Sequence, residues 1–165
     1  MNYAHRKNQS GVVLVISLIM LLLLTIIGVT AMQVNNLEEK MAGNARDQNI
    51  AFQAAESTLQ EAESFILNNP NSDVTYSGAN GLLDIADDEP TNFFTHSWSA
   101  ADSTAAPNNY GLTEDPRYII KRISGPIAGA TADDPDRTYF KITARATGAS
   151  AGTQIILQAH FVRYD

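Results

Sequence analysis

A chain of 165 residues with no cysteine and a net charge of −7 leaves room, beyond roughly its first thirty residues, for one domain of about 100 to 130 residues. Disulfide staples and thiolate metal sites are excluded, whereas an oxidising compartment is not, because cysteine-free exported domains exist. The acidic balance, with Arg6 and Lys7 isolated near the start, argues against a nucleic-acid backbone as partner.

The first element in chain order lies in "HRKNQSGVVLVISLIMLLLLTIIGVTAM", His5 to Met32. Val12 to Met32 holds no charged residue, and the hydroxyls of Ser17, Thr25 and Thr30 can return to carbonyls one turn back. A helix of about 20 such residues spans a hydrocarbon core of roughly 30 Å. His5, Arg6 and Lys7 precede it and Glu38 and Glu39 follow, so the positive-inside rule puts the N-terminus in the cytoplasm and the remainder outside. Val29 and Ala31 occupy the small-residue positions a leader peptidase favours before Met32, but a signal peptide's apolar run of about 7 to 15 residues is shorter than this one. An uncut bitopic anchor fits the hydropathy and leaves Gly11, at the border of the apolar block, without a reason.

From Gln33 to Asn68 the chain has a single glycine, Gly43, and no proline. Leu37, Met41, Ala45, Gln48, Phe52, Ala55, Leu59, Ala62 and Ile66 recur at alternating steps of four and three, while most charges fall off that stripe. This predicts an amphipathic helix in phase with the membrane segment. Its many alanines favour packing on a sheet of the same domain over a coiled coil. Gly28 and Gly43 are candidate bending points, since glycine disfavours helix by about 1 kcal/mol relative to alanine; close helix packing in the membrane is an alternative role for Gly28.

Residues 71 to 116 are rich in Asn, Ser, Asp, Gly, Ala and Pro and predict an irregular region, with Phe93, Phe94 and Trp98 as anchors into the core. Three β-rich runs follow: Arg117 to Ser124, Thr138 to Thr147 and Thr153 to Tyr164. In the last two, apolar and polar residues alternate, which predicts one apolar face and one wet face. "GASAG", Gly148 to Gly152, reads as the hairpin loop between them and "GPIAGATADDPD" as the link from the first run to the second. The resulting fold class is α+β: a long N-terminal helix, membrane-spanning and then amphipathic, packed on a small C-terminal antiparallel sheet.

A short basic leader ending in glycine, an apolar helix from the next residue, an amphipathic continuation and a C-terminal antiparallel sheet resemble a type IV pilin or pseudopilin precursor. More narrowly, "GVVLVISLIMLLLLTIIGVTAMQVNNLEEKMAGNARDQNIAFQAAESTLQEAE" and "YFKITARATGASAGTQIILQAHFVR" resemble the N-terminal region and strand pair of PilX-type minor pilins. The resemblance implies that residues 1–11 are a leader cut after Gly11 by a prepilin peptidase, and that Val12 becomes the N-methylated mature N-terminus. Residues 12–32 then form the filament-core helix, 33–68 its continuation and 69–165 the head. A glycine without a side chain suits the protease groove, and Arg6 and Lys7 hold the leader inside. Where major pilins of the family carry a glutamate, this sequence has Ile16, which implies rare incorporation near the tip. Implied partners are other minor pilins and the major pilin, a large tip-associated adhesin, the prepilin peptidase and an inner-membrane assembly platform. The implied roles are priming of pilus assembly, twitching motility, adhesion and DNA uptake. A minor pseudopilin of a type II secretion system is the alternative, although its glutamate-free tip subunit usually carries a much larger head.

"GASAG" also fits G-x-S-x-G, but that nucleophile needs a strand-to-helix elbow and a partnered histidine, so Ser150 is not expected to be catalytic. The acidic groups Asp84, Asp87, Asp88, Glu89 and Asp133, Asp134, Asp136 lack the spacing of an EF-hand loop and read as solvated loops. No histidine pair has zinc spacing and no phosphate-cradling loop occurs, so neither a cofactor nor an enzymatic activity is expected.

Overall fold

The computed structural model describes residues 10–69, 75–108, 111–124 and 137–164. The chain divides into two compact units, Met1–Asn44 and Ala45–Asp165. One helix, α1 (Ser10–Asn68), contributes to both. It is followed by five strands: β1 (Leu82–Leu83), β2 (Thr104–Ala105), β3 (Arg117–Ile123), β4 (Arg137–Thr147) and β5 (Gln154–Tyr164). The three long strands lie where the β-rich runs place them, to within about one residue at each end.

β3, β4 and β5 form an antiparallel meander in unbroken register, Arg117↔Arg145 to Ile123↔Tyr139 and Arg137↔Tyr164 to Thr147↔Gln154. Beyond the antiparallel strands expected within 117–164, β1 pairs with β3 in parallel through Leu82↔Ile120, so the complete sheet is mixed. β2 pairs antiparallel with β3 at Thr104↔Tyr118. The turn into β1 explains how so short a strand is held. Leu82 N donates to Ala79 O at 3.0 Å, and the two central residues Asn80 and Gly81 have φ of 55° and 75°. Asn-Gly is the pair that tolerates two successive left-handed positions. A Cβ on Gly81 would also lie 2.7 Å from the Ser103 backbone.

In the second unit α1 covers the sheet face formed by Tyr118, Ile120, Phe140, Ile142 and Ala144 with Ala62 and Ile66, while Ala54 and Ala55 meet Ala146 and Leu112. Phe140, Ile142 and Ile120 are fully buried, each contributing about 1.5–3 kcal/mol by leaving water. The helix face differs from the expected stripe in its earlier part. Ala55, Leu59, Ala62 and Ile66 pack inward, but Phe52 is exposed and Ala51, Ala54 and Thr58 take the buried positions. A four-three alternation has a period of 3.5, which slips about 20° per heptad against a straight helix. Over the heptads between Leu37 and Ile66 the predicted stripe rotates off the sheet.

The helix ends without a basic residue in its last turn. Positive charge comes from β5 instead: the buried Arg163 donates through Nη1 to Ile66 O and Asn69 O, both at 3.2 Å, answering carbonyls that have no partner within the helix.

The sheet's second face is not wet over β3 and β4, as alternation alone predicts. Residues 84–102 lie across it. Glu89 pairs with Lys141 Nζ at 2.8 Å, Lys121 Nζ donates to Asp87 O at 2.7 Å, and Arg145 stacks over the Trp98 ring at 5.8 Å. Ile119 and Thr143 are consequently buried on that face. Phe93 and Trp98 belong to this outer layer, with ring centroids 6.1 Å apart, rather than to the helix-side core, and Phe94 stays 66% exposed.

Candidate functional site

The apolar surface of α1 in the first unit is the feature most in need of a function. Val12, Ile16 and Leu24 are 60%, 52% and 68% exposed, and the other large side chains between them are similarly bare. Polar groups inside the segment are satisfied within the helix itself: Ser17 Oγ donates to Leu14 O at 2.9 Å, Thr25 Oγ1 to Leu22 O at 2.7 Å and Thr30 Oγ1 to Ile26 O at 2.8 Å. Nothing there asks for water. This is the one helix among the described residues long and apolar enough to cross a membrane. Leaving each large side chain in water would forfeit about 1.5–3 kcal/mol, so lipid or other apolar helices must cover it.

Gly11 and Val12 open this surface at the start of α1, and Ile16 lies one turn further on the same exposed helix. Gly28 and Gly43 sit within unbroken helix, and a Cβ at either position would meet nothing within 4 Å. Arg6 and Lys7 lie outside the described residues, as does the group Asp133, Asp134 and Asp136. Leu37 and Met41, expected to face the sheet, are 60% and 63% exposed and extend the apolar surface past the membrane-length segment.

In the second unit, Asp47 joins α1 to the β4–β5 loop. Its carboxylate accepts Ala149 N at 2.6 Å, Ser150 N at 3.4 Å and Ser150 Oγ at 2.5 Å. The Ser150 hydroxyl and then the nearby Thr153 hydroxyl hold the Asp47 carboxyl below the usual carboxylate range; desolvation opposes them, and the two loop amides add to the lowering. Gly148 leaves room for this contact, because a Cβ there would push against the Asp47 carboxylate. Ser150 thus belongs to a hairpin loop, hydrogen-bonded to Asp47 and close to Thr153, and not to a strand-to-helix elbow. No sequence pattern announces this latch, since its halves are 102 residues apart.

The acidic residues 84–89 are not merely solvated. Asp87 Oδ2 accepts Asp84 N at 2.7 Å, Asp84 sits 3.5 Å from Arg122, and Glu89 pairs with Lys141. They fasten the outer layer to the sheet. Among the described residues no three His, Asp or Glu are grouped to hold a metal ion.

A family model described as PilX N-terminal matches residues 10–60, and one described as type IV pilus assembly protein PilX C-term matches residues 68–163. The chain belongs to the PilX family. No curated protein and no solved structure matches it. PilX membership gives the exposed helix its setting: this is a minor pilin of type IV pilus assembly, a structural subunit anchored by a single apolar helix and associated with other pilus components and the membrane. The first match ends at residue 60 and the second begins at residue 68, both within α1, so the PilX N-terminal region comprises the apolar segment and most of the helix that packs on the sheet.

Proposed function

We propose that this PilX-family chain is cut after Gly11 by a prepilin peptidase, begins as mature protein at a methylated Val12, and enters the pilus rarely and near its tip. The observation that carries the reading is the all-round apolar surface of α1 starting at Val12, satisfied within itself and left exposed among the described residues. Cleavage at Gly11 removes the polar leader and keeps that surface; cleavage after Ala31 would discard it. Such a helix passes from lipid directly into a bundle of like helices, because an excursion through water is too costly. Arg6 and Lys7 keep the leader cytoplasmic, which places the head in the periplasm before assembly and at the cell surface afterwards.

Ile16 supports the tip position. A buried carboxylate in a neighbouring subunit would match a terminal amine at membrane depth, and either group alone is costly there. With isoleucine at this position the subunit offers no such match, so it starts a filament better than it continues one. In this role it works with other minor pilins, the major pilin and a large tip-associated adhesin on the inner-membrane assembly platform, and supports twitching motility, adhesion and DNA uptake. Gly28 and Gly43 are the places where the helix bends or unwinds in transfer. Immunogold labelling of sheared filaments tests the position: sparse label at filament ends is expected, and label spread along the shaft would overturn it.

A further inference from the structure

Residues 91–94 of the outer layer and strand β5 border a shallow groove of about 380 Å³. That volume lies toward the lower end of the range, about 300–1,000 Å³, of small-molecule sites. Three of its lining residues are apolar, Phe93, Phe94 and Ile156, and three are polar without charge, Thr91, Asn92 and Gln158. In a chain of net charge −7, a groove lined by no ionised side chain is set apart from its surroundings. Its polar groups are held in place. Asn92 Oδ1 accepts Phe94 N at 2.9 Å, which fixes the turn that presents the mostly exposed Phe94 ring and leaves Asn92 Nδ2 as a donor. Gln158 Nε2 donates to Thr143 Oγ1 at 3.1 Å, which leaves Gln158 Oε1 as an acceptor. Among the described residues β5 pairs with β4 alone, so its other edge adds backbone donors and acceptors that no described strand uses.

We propose that this groove binds a neutral saccharide, one pyranose ring with its C–H face on Phe94 and Ile156 and its hydroxyls on Asn92, Gln158 and the open edge of β5. A sugar ring has the two kinds of surface the groove asks for: C–H groups to lie on an aromatic face, and a rim of hydroxyls that donate and accept. A charged ligand would find no counter-charge here, and burying an unpaired charge is costly. An extended peptide fits less well. The groove takes in Ile156 and Gln158 only, about 7 Å of strand at 3.4 Å per residue, whereas strands usually run for about 5–6 residues. The turn at Asn92 and the hydrogen bond to Thr143 set both amides before a ligand arrives, so little ordering opposes binding. The site rests on the adhesive part of the function proposed above and gives it a ligand class. It uses the head alone, so failure of saccharide binding leaves the tip position standing, and label along the shaft leaves the groove standing.

The chain's one tryptophan is a built-in reporter, since Trp98 stands against Phe93 with ring centroids 6.1 Å apart and donates through Nε1 to Phe93 O at 3.0 Å. The full chain, in micelles of a detergent without a sugar headgroup, is titrated with methyl β-glucoside, methyl β-galactoside and N-acetylglucosamine. Trp98 fluorescence is followed and, independently of it, saturation transfer by NMR to the sugar C–H protons. At least one sugar is expected to bind saturably with a midpoint in the millimolar range. Phe94→Ala, at a side chain the fold leaves exposed, is expected to raise that midpoint about tenfold without lowering the denaturation midpoint, and Gln158→Leu to raise it several-fold. Phe52→Ala, at an exposed aromatic on α1, is expected to leave binding as it was. Absence of saturable binding by both readouts would overturn the proposal. So would equal binding of cyclohexanol, which has the ring without the array of hydroxyls, or binding that Phe94→Ala leaves unchanged. A larger response to trialanine than to any sugar would give the open edge to a peptide instead.

Discussion

The two units of this protein solve the burial of apolar side chains in opposite ways. In the head, Phe140, Ile142, Ile120 and Ile66 are removed from water by the chain's own sheet and helix; between Val12 and Met32, leucines and isoleucines as apolar as these remain bare. The head is self-sufficient and the helix is not. An element that satisfies its internal hydroxyls yet leaves its whole circumference exposed is built for apolar surroundings, lipid or neighbouring helices. A change in one unit should therefore be read out by a different assay from a change in the other.

The largest expected effect lies at the border of the exposed unit. Gly11→Leu places a bulky side chain at the proposed cut, and is expected to abolish conversion to the mature form on an immunoblot while the chain still enters the membrane. Normal processing of that variant would remove glycine's proposed role. In the head, Phe140→Ala is expected to cost about 3–5 kcal/mol, seen as a lower denaturation midpoint, with membrane association unchanged. If membrane association fell with it, the division of labour between the units would be wrong. Arg163→Met keeps much of the side chain's volume but leaves Ile66 O and Asn69 O without their donor; a loss of about 1–3 kcal/mol is expected, with faster amide exchange confined to the last turn of α1.

A smaller and pH-dependent effect comes from Tyr118. Burial, reinforced by Glu61 and opposed by a hydrogen bond with Thr104, raises its phenol from the ordinary 10.0 to about 12. The folded head keeps this proton after the unfolded chain has lost it, so its contribution is complete below pH 10 and declines between pH 10 and 12. Tyr118→Phe should flatten that part of a stability-against-pH curve. Asp47 has the opposite sign: its latch is intact above the usual carboxylate range and is lost as pH falls below it, and Asp47→Ala should loosen the β4–β5 loop with little effect on the distant β1 turn. Loop amide exchange separates these outcomes.

What the sequence discloses also divides along the two units. The membrane segment is legible because composition alone decides it, and β3, β4 and β5 because β-rich runs bounded by turn residues mark their extents. The helix stripe reads correctly from Ala55 onward, where few turns separate the period of 3.5 from the true 3.6, and drifts off at Phe52 and before. Residues 84–102 are opaque because single contacts, Glu89 with Lys141 and Trp98 with Arg145, hold them on the sheet without any periodic pattern. For the same reason Asp47 reads as a solvated helix charge until Gly148 and Ser150 are seen beside it.

The measurement closest to the centre of this account is the mass of the N-terminal peptide from protein isolated from its host's membranes and sheared surface filaments. The account predicts a chain that starts at N-methylated Val12, with the whole apolar helix retained and the leader gone. A chain starting at Met1 in both fractions, or at Met32, would contradict it, the first by leaving an uncut anchor and the second by discarding the surface the helix exists to present.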